Sequence, residues 1–192
     1  MNVLFPVFLK LHQINTLLVG GGNVGLEKLN AILQNSPEAR VTVVAGYFLP
    51  ETLQLAQSAP FVQIVQRNYL PTDLEGKQLV ICATDNQALH EEIVQEAHAQ
   101  NILVNVADTP HLCDFYLGSV VRKNELKIAI STNGKSPTFA KRLREYLEDA
   151  LPEGSIQELL EQLHAFRNQL KGDFAHKINV LNEVTAGLLN KK

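Results

Sequence analysis

Gly20, Gly22 and Gly25, Asp108, and a cluster of lysines and arginines between residues 122 and 144 are the residues whose type and spacing could do chemistry in this chain. The glycines satisfy G-x-G-x-x-G within Gly20-Gly21-Gly22-Asn23-Val24-Gly25. In that pattern the first glycine permits a tight turn, the second lets backbone approach a pyrophosphate, and the third lets a helix pack on a strand. Free N–H groups and the positive end of a helix dipole would then face the phosphates. A plain structural turn is the competing reading, and the flanks decide: β-favouring Leu17-Leu18-Val19 precedes the glycines, and helix formers follow them to about Gln34. The stretch reads as a dinucleotide site.

Asp108, in Asn105-Val106-Ala107-Asp108-Thr109-Pro110, lies just past an apolar run, where a carboxylate could serve as a base. A second loop, Ala83-Thr84-Asp85-Asn86, follows another apolar run and would border the cofactor through Thr84 and Asp85. Aspartates near proline and asparagine also make turns and caps, which is the structural alternative for both. Between Arg122 and Arg144 seven cations face only Glu125, a local charge of +6 in a chain of formal net charge −3. There Ser136 stands as a helix N-cap before Pro137, so Lys135, Ser136 and Arg142 are candidates for holding an anion. The segment lacks interleaved aromatics, which favours a small polyanion over nucleic acid. No metal site is expected: the six histidines, at 12, 90, 98, 111, 164 and 176, lack ligand spacing and read as surface or capping residues.

The elements that must position these residues alternate. Arg40–Val44, Val62–Gln66, Lys77–Cys82 and Ile102–Val106 join the glycine strand as apolar runs, with helices at Pro50–Gln57 and Gln87–Gln100 between them. Strands apolar on both faces imply a parallel sheet covered by helices, and right-handed crossovers make it doubly wound and Rossmann-like. Val3–Leu11, broken by Pro6, reads as an edge strand. No acid follows Val44, where such folds usually hold the ribose hydroxyls, and no arginine there favours a 2′-phosphate. Further on, Ser119–Lys123 and Lys127–Thr132 around Asn124-Glu125 form a hairpin. Two strands alone are marginal in water, so a second copy of the chain is the economical partner. A helix follows with Phe139, Leu143, Leu147 and Ala150 on its buried side. Ser155-Ile156-Gln157-Glu158 reads as a capping box for the next helix, whose stripe is Ile156, Leu159, Leu160, Leu163 and Phe166. Gly172 separates this from a last helix to about Leu189. The expected domains are 1–115 (dinucleotide binding), 116–150 (a dimerisation segment of hairpin plus helix) and 151–192 (helical).

At 192 residues and near charge balance, the chain has no global pull toward nucleic acid or membrane. Its apolar runs are too short to span a bilayer and lack a signal peptide's flanks, so a cytoplasmic location is expected. Cys82 and Cys113 have no C-x-x-C partner and read as reduced thiols.

Taken together, Gly20-Gly21-Gly22-Asn23-Val24 with Lys28, Ala83-Thr84-Asp85-Asn86, Asn105-Val106-Ala107-Asp108 and Leu112-Cys113-Asp114-Phe115 form a family pattern. Its most specific part is Ile128-Ala129-Ile130-Ser131-Thr132-Asn133-Gly134-Lys135-Ser136-Pro137, continued by Lys141-Arg142-Leu143-Arg144. The pattern resembles the precorrin-2 dehydrogenase / sirohydrochlorin ferrochelatase family of sirohaem synthases, in a stand-alone form without the methyltransferase portion. The resemblance implies a homodimer in which NAD⁺ takes a hydride from precorrin-2 to give sirohydrochlorin, with Fe²⁺ then inserted in bifunctional members to give sirohaem. It implies the central acid at Asp108, cofactor contacts at Asn23, Val24, Gly46 and Tyr47, and a chelation-region hydroxyl at Thr132. The polycarboxylate substrate would find electrostatic complements in the basic segment, and burial beside it would raise the pKa of Asp108. Two alternatives stand beside this: a non-catalytic NAD-binding redox sensor, and a dehydrogenase for another polyanionic substrate.

Overall fold

The structure, a computed structural model, describes residues 2–187, which fall into two compact units that divide between Leu117 and Gly118. In the first unit five strands, β1 (Asn15–Gly21), β2 (Arg40–Phe48), β3 (Val62–Gln66), β4 (Leu79–Cys82) and β5 (Leu103–Val106), pair in parallel in the order β3-β2-β1-β4-β5. Helices α1 (Asn23–Asn35), α2 (Pro50–Gln57) and α3 (Gln87–Ala99) make the crossovers. The sheet is thus the expected doubly wound, Rossmann-like one. Successive side chains of β1 go to opposite faces: Leu18 packs with Leu29, Ile32 and Ala56 beneath α1 and α2, while Leu17 and Val19 pack with Ile93 and Ala97 of α3. Each buried leucine, isoleucine or valine contributes about 1.5–3 kcal/mol, which explains why these strands are apolar on both faces. The strand order reverses between β1 and β4, and a parallel sheet opens a crevice at the carboxyl ends of the strands on either side of that reversal.

Two sequence expectations fail here. Residues 2–10 form no strand, and Val3, Phe5, Val7 and Phe8 are exposed. A continuous apolar run needs cover on both faces, Pro6 removes a donor, and one of the two sheet edges, that of β5, is already taken: Asp114 N–H donates to Val104 O at 2.8 Å. Strand β2 runs past Val44 to Phe48 through a register shift against β1, so Gly46 and Tyr47 lie in a bulged strand rather than in a turn after it.

In the second unit β6 (Ser119–Lys123) and β7 (Leu126–Ile130) form the expected antiparallel hairpin, with Asn124 at φ 53° in the turn. Helix α4 (Pro137–Ala150) starts at the Ser136 cap, whose hydroxyl accepts from Phe139 N–H at 3.2 Å. Its buried side differs from the expected one: Ala140 is buried, whereas Phe139 and Ala150 are exposed. Helix α5 (Glu153–Gln169) begins at Pro152, so Ser155 and Glu158 lie inside it and make no capping box. Helix α6 (Phe174–Thr185) is capped by Asp173, whose carboxylate accepts from His176 N–H at 2.8 Å. The expected extension to Leu189 lies outside the described residues.

Candidate functional site

The glycine turn shows three distinct reasons for glycine. Gly20 has φ +125°, in the region L side chains avoid, and a Cβ there would collide with the carbonyl of Ala83 just past the neighbouring strand. At Gly25 a Cβ would run into the carbonyl of Gly20, so this glycine seats α1 against β1. Position 22 is different: its φ is ordinary, and a Cβ would meet no protein atom within 4 Å. Protein packing therefore leaves open the space that Gly22 faces. Among the described residues no side chain caps α1 and no acid lies in its first turn, so the positive end of the helix at Asn23 and Val24 is uncompensated. An open cradle at such an end fits the pyrophosphate of a dinucleotide.

The other loops meet this turn at the carboxyl edge of the sheet. Ala83 N–H donates to Val19 O at 2.8 Å and Ala107 N–H donates to Cys82 O at 2.9 Å, carrying the ladder past the ends of β4 and β5. Thr84 and Asp85 therefore stand one strand from the glycine turn and Asp108 two strands, about 10 Å by strand spacing. Gly46 and Tyr47 reach the same edge from β2, with Tyr47 exposed. Asp108 is exposed and has φ 56°, left-handed backbone that a non-glycine residue seldom adopts. Lining residues aside, this edge is defined by strand ends rather than by depth. A cavity of about 470 Å³ lies at the opposite, amino edge, between Asn15, Arg40, Phe61, Gln63 and Lys77, and belongs to no candidate residue.

Several residues that hold this edge escaped the sequence reading. The Gly21 carbonyl is fixed by Leu49 N–H and the buried Thr52 hydroxyl, both at 3.0 Å. Thr84 Oγ1 lies 2.8 Å from His90 Nε2 and accepts from Asn86 N–H at 3.2 Å. His90 is buried, which corrects its reading as a surface or capping residue, and burial pushes its pKa down so the ring stays neutral. The signal was present: His90 shares a helical stripe with Ile93, Val94 and Ala97. A Cβ on Gly46 would sit 2.5 Å from Asn68 Oδ1, so an amide occupies the end of β2 where an acid is usual. The adjacent Arg67 is held by Asp73 through contacts of 2.6 and 2.7 Å, and its guanidinium holds the Asp73 carboxyl below the usual range.

In the second unit Thr132, Asn133, Gly134 and Lys135 make a turn with φ 55° at Asn133 and 74° at Gly134. Lys135 N–H donates to Thr132 O, and Ser136 N–H to Thr132 Oγ1, both at 3.1 Å. Asparagine tolerates the left-handed conformation, so Asn133 fits the loop. The basic cluster is smaller than its +6 suggests, because Lys141 and Arg144 approach Glu145 at 3.9 Å and Arg144 pairs with Glu148 at 3.3 Å. Lys135 and Arg142 are exposed and have no ion-pair partner among the described residues. No cluster of three or more metal-ligating side chains occurs among the described residues, and no described helix is long and apolar enough to cross a membrane.

Two family models match this chain: "Putative NAD(P)-binding" over residues 7–119 and "Sirohaem biosynthesis protein central" over 123–150. Among similar proteins, the siroheme synthase of Psychrobacter cryohalolentis is 38% identical over 177 residues, covering 92% of this chain and 32% of its own. That of Vesicomyosocius okutanii is 33% identical over 195 residues, covering 100% and 41%. The chain thus spans about a third of the length of the curated relatives it matches. The solved structure of SirC, a precorrin-2 dehydrogenase, superposes with a TM-score of 0.72 at 24% identity, over 94% of this chain and 89% of that one, and so shares its fold. With more than half of its length under one model, the chain belongs to the NAD(P)-binding family, joined to a segment of the sirohaem-biosynthesis central type.

Proposed function

We propose that this chain oxidises precorrin-2 to sirohydrochlorin with NAD⁺, in the making of sirohaem, and acts as a homodimer. The observation that carries the reading is Asp108, held in left-handed backbone on the same sheet edge as the open cradle at Gly22. Gly20, Gly22, Asn23, Val24 and Gly25 would hold the pyrophosphate, with Gly46, Tyr47, Thr84 and Asp85 bordering the rest of the cofactor. NAD⁺ bound there supplies the hydride acceptor. The macrocycle loses a hydride and a proton, and the Asp108 carboxylate takes the proton. Asp108 is exposed in the free chain, so its carboxylate is open to a macrocycle lying over the sheet edge. Lys135 and Arg142, with Thr132 and Ser136 shaping their turn, are proposed to meet substrate carboxylates.

Anaerobic incubation of the protein with precorrin-2 and NAD⁺ tests this: NADH and the sirohydrochlorin chromophore should appear together. Folded protein that binds NAD⁺ yet forms neither product would overturn the proposal. Insertion of Fe²⁺ is a separate step, in which Asp108 would accept pyrrole protons as the metal substrate enters. It is supported by the names of the siroheme synthase relatives and is tested by adding Fe²⁺ after the oxidation and looking for the sirohaem spectrum.

A further inference from the structure

The turn that carries Asp108 is closed by one side chain. Cys113 Sγ accepts from Val106 N–H at 3.2 Å and from the Asn105 amide at 3.6 Å, and lies 3.2 Å from Val106 O and 3.4 Å from Thr109 O. A thiol has one hydrogen, so it donates to one of these two carbonyls at a time. The partners bracket Asp108, with Val106 two residues before it and Thr109 one after. The next residues fix the return of the chain along β5: Asp114 Oδ2 accepts from Val104 N–H at 2.8 Å, and Asn105 donates to Phe115 O at 2.8 Å. The Asp108 carboxylate itself makes no hydrogen bond among the described residues. Its place is therefore set by its backbone, in a left-handed conformation that aspartate tolerates at some cost and that the closed turn holds.

We propose that Cys113 is a positioning residue for Asp108: its sulfur closes the base of the 106–113 turn and so fixes where the carboxylate stands over the sheet edge. The inference rests on the reading of Asp108 as the base. It assigns the thiol no redox or nucleophilic part. Burial pushes the Cys113 pKa up, which keeps the hydrogen that the clamp donates.

Hydrogen exchange reads the clamp without reference to turnover. In Cys113→Ala the amides from Val106 to Thr109 should exchange faster than in the parent, and unchanged exchange would overturn the proposal. Steady-state kinetics reads the consequence. Cys113→Ala should lower kcat on the order of 10- to 100-fold while the KM for precorrin-2 and the Kd for NAD⁺ stay put, the pattern of a displaced group rather than of lost binding. In an Asp108→Asn background the same change should cost nothing further, whereas an equal second loss would show that Cys113 does not act through Asp108. Cys113→Ser, which keeps a donor and acceptor, should recover part of both readouts, and Cys113→Val, which keeps volume alone, should not. That contrast serves if the alanine variant does not fold, and serine performing no better than valine would overturn the account. Full turnover in Asp108→Asn together with fast exchange in Cys113→Ala would retire the base and leave the clamp, separating the two failures.

Discussion

Gly20 and Gly22 are two residues apart and are glycine for different reasons. At Gly20 any side chain meets the Ala83 carbonyl in a backbone conformation that already disfavours it. Gly20→Ala should therefore cost about 1–3 kcal/mol of stability, read as a lower melting temperature. At Gly22 a methyl group meets no protein, and Gly22→Ala should cost at most about 1 kcal/mol as a poorer cap while weakening NAD⁺ binding at least about tenfold. Cofactor titration beside thermal melting separates the two. His90 supplies a pH test. Its folded-state pKa lies below the ordinary imidazole value because burial penalises the charged ring, so the unfolded chain binds the proton more readily. The stability this group contributes is complete above about pH 6.5 and is lost as pH falls below that value toward the depressed pKa. The melting temperature should drop on acidification from pH 7 toward 5.5, and His90→Gln should shrink that drop. An unchanged slope in the variant would place the acid sensitivity elsewhere.

At the level of elements, the end of β3 decides what the end of β2 can recognise. Arg67 follows β3, beside the Gly46 bulge of β2, and is the cation there that a 2′-phosphate could meet, yet both arms of its guanidinium are engaged by Asp73. Asn68, whose amide oxygen crowds Gly46, offers the neutral contact suited to a ribose hydroxyl. NAD⁺ should bind more tightly than NADP⁺, and Asp73→Asn, by releasing Arg67, should narrow the gap through a gain in NADP⁺ affinity measured by titration. The sequence held part of this. Strand positions were legible because Leu17, Leu18, Val19, Val43, Val44, Val80 and Ile81 are buried by both helical layers, and no partner chain is needed to make them so. The extension of β2 was not, because a bulge is a property of pairing between strands rather than of either run. The helix start at Pro152 displaced the Ser155 cap for a similar reason: a polar residue that can cap is also tolerated one turn inside. Cys113, named as part of a motif, revealed its partners Val106 and Thr109 only once the turn was closed in space.

The two units differ in how well a single chain covers them. The first has a core on each face of its sheet, whereas in the second only Val121 and Ala140 are buried hydrophobics among the described residues. Helix α4 meanwhile leaves Phe139 58% and Tyr146 67% exposed, on a chain whose sequence placed Phe139 on the buried side. Periodicity reports which face is apolar, and not which molecule covers it. A hairpin and three helices with so few buried hydrophobics gain little against the entropy of ordering them, so the proposed second copy would supply the cover that Phe139 and Tyr146 lack. Sedimentation of the intact protein at micromolar concentration should give a dimer. Changing Phe139 and Tyr146 together to aspartate should shift it to monomer and lower the melting temperature, with NAD⁺ affinity retained because the glycine turn belongs to the first unit. A parent protein that sediments as a monomer, or a doubly substituted one that remains a dimer, would place the covering surface elsewhere than on α4.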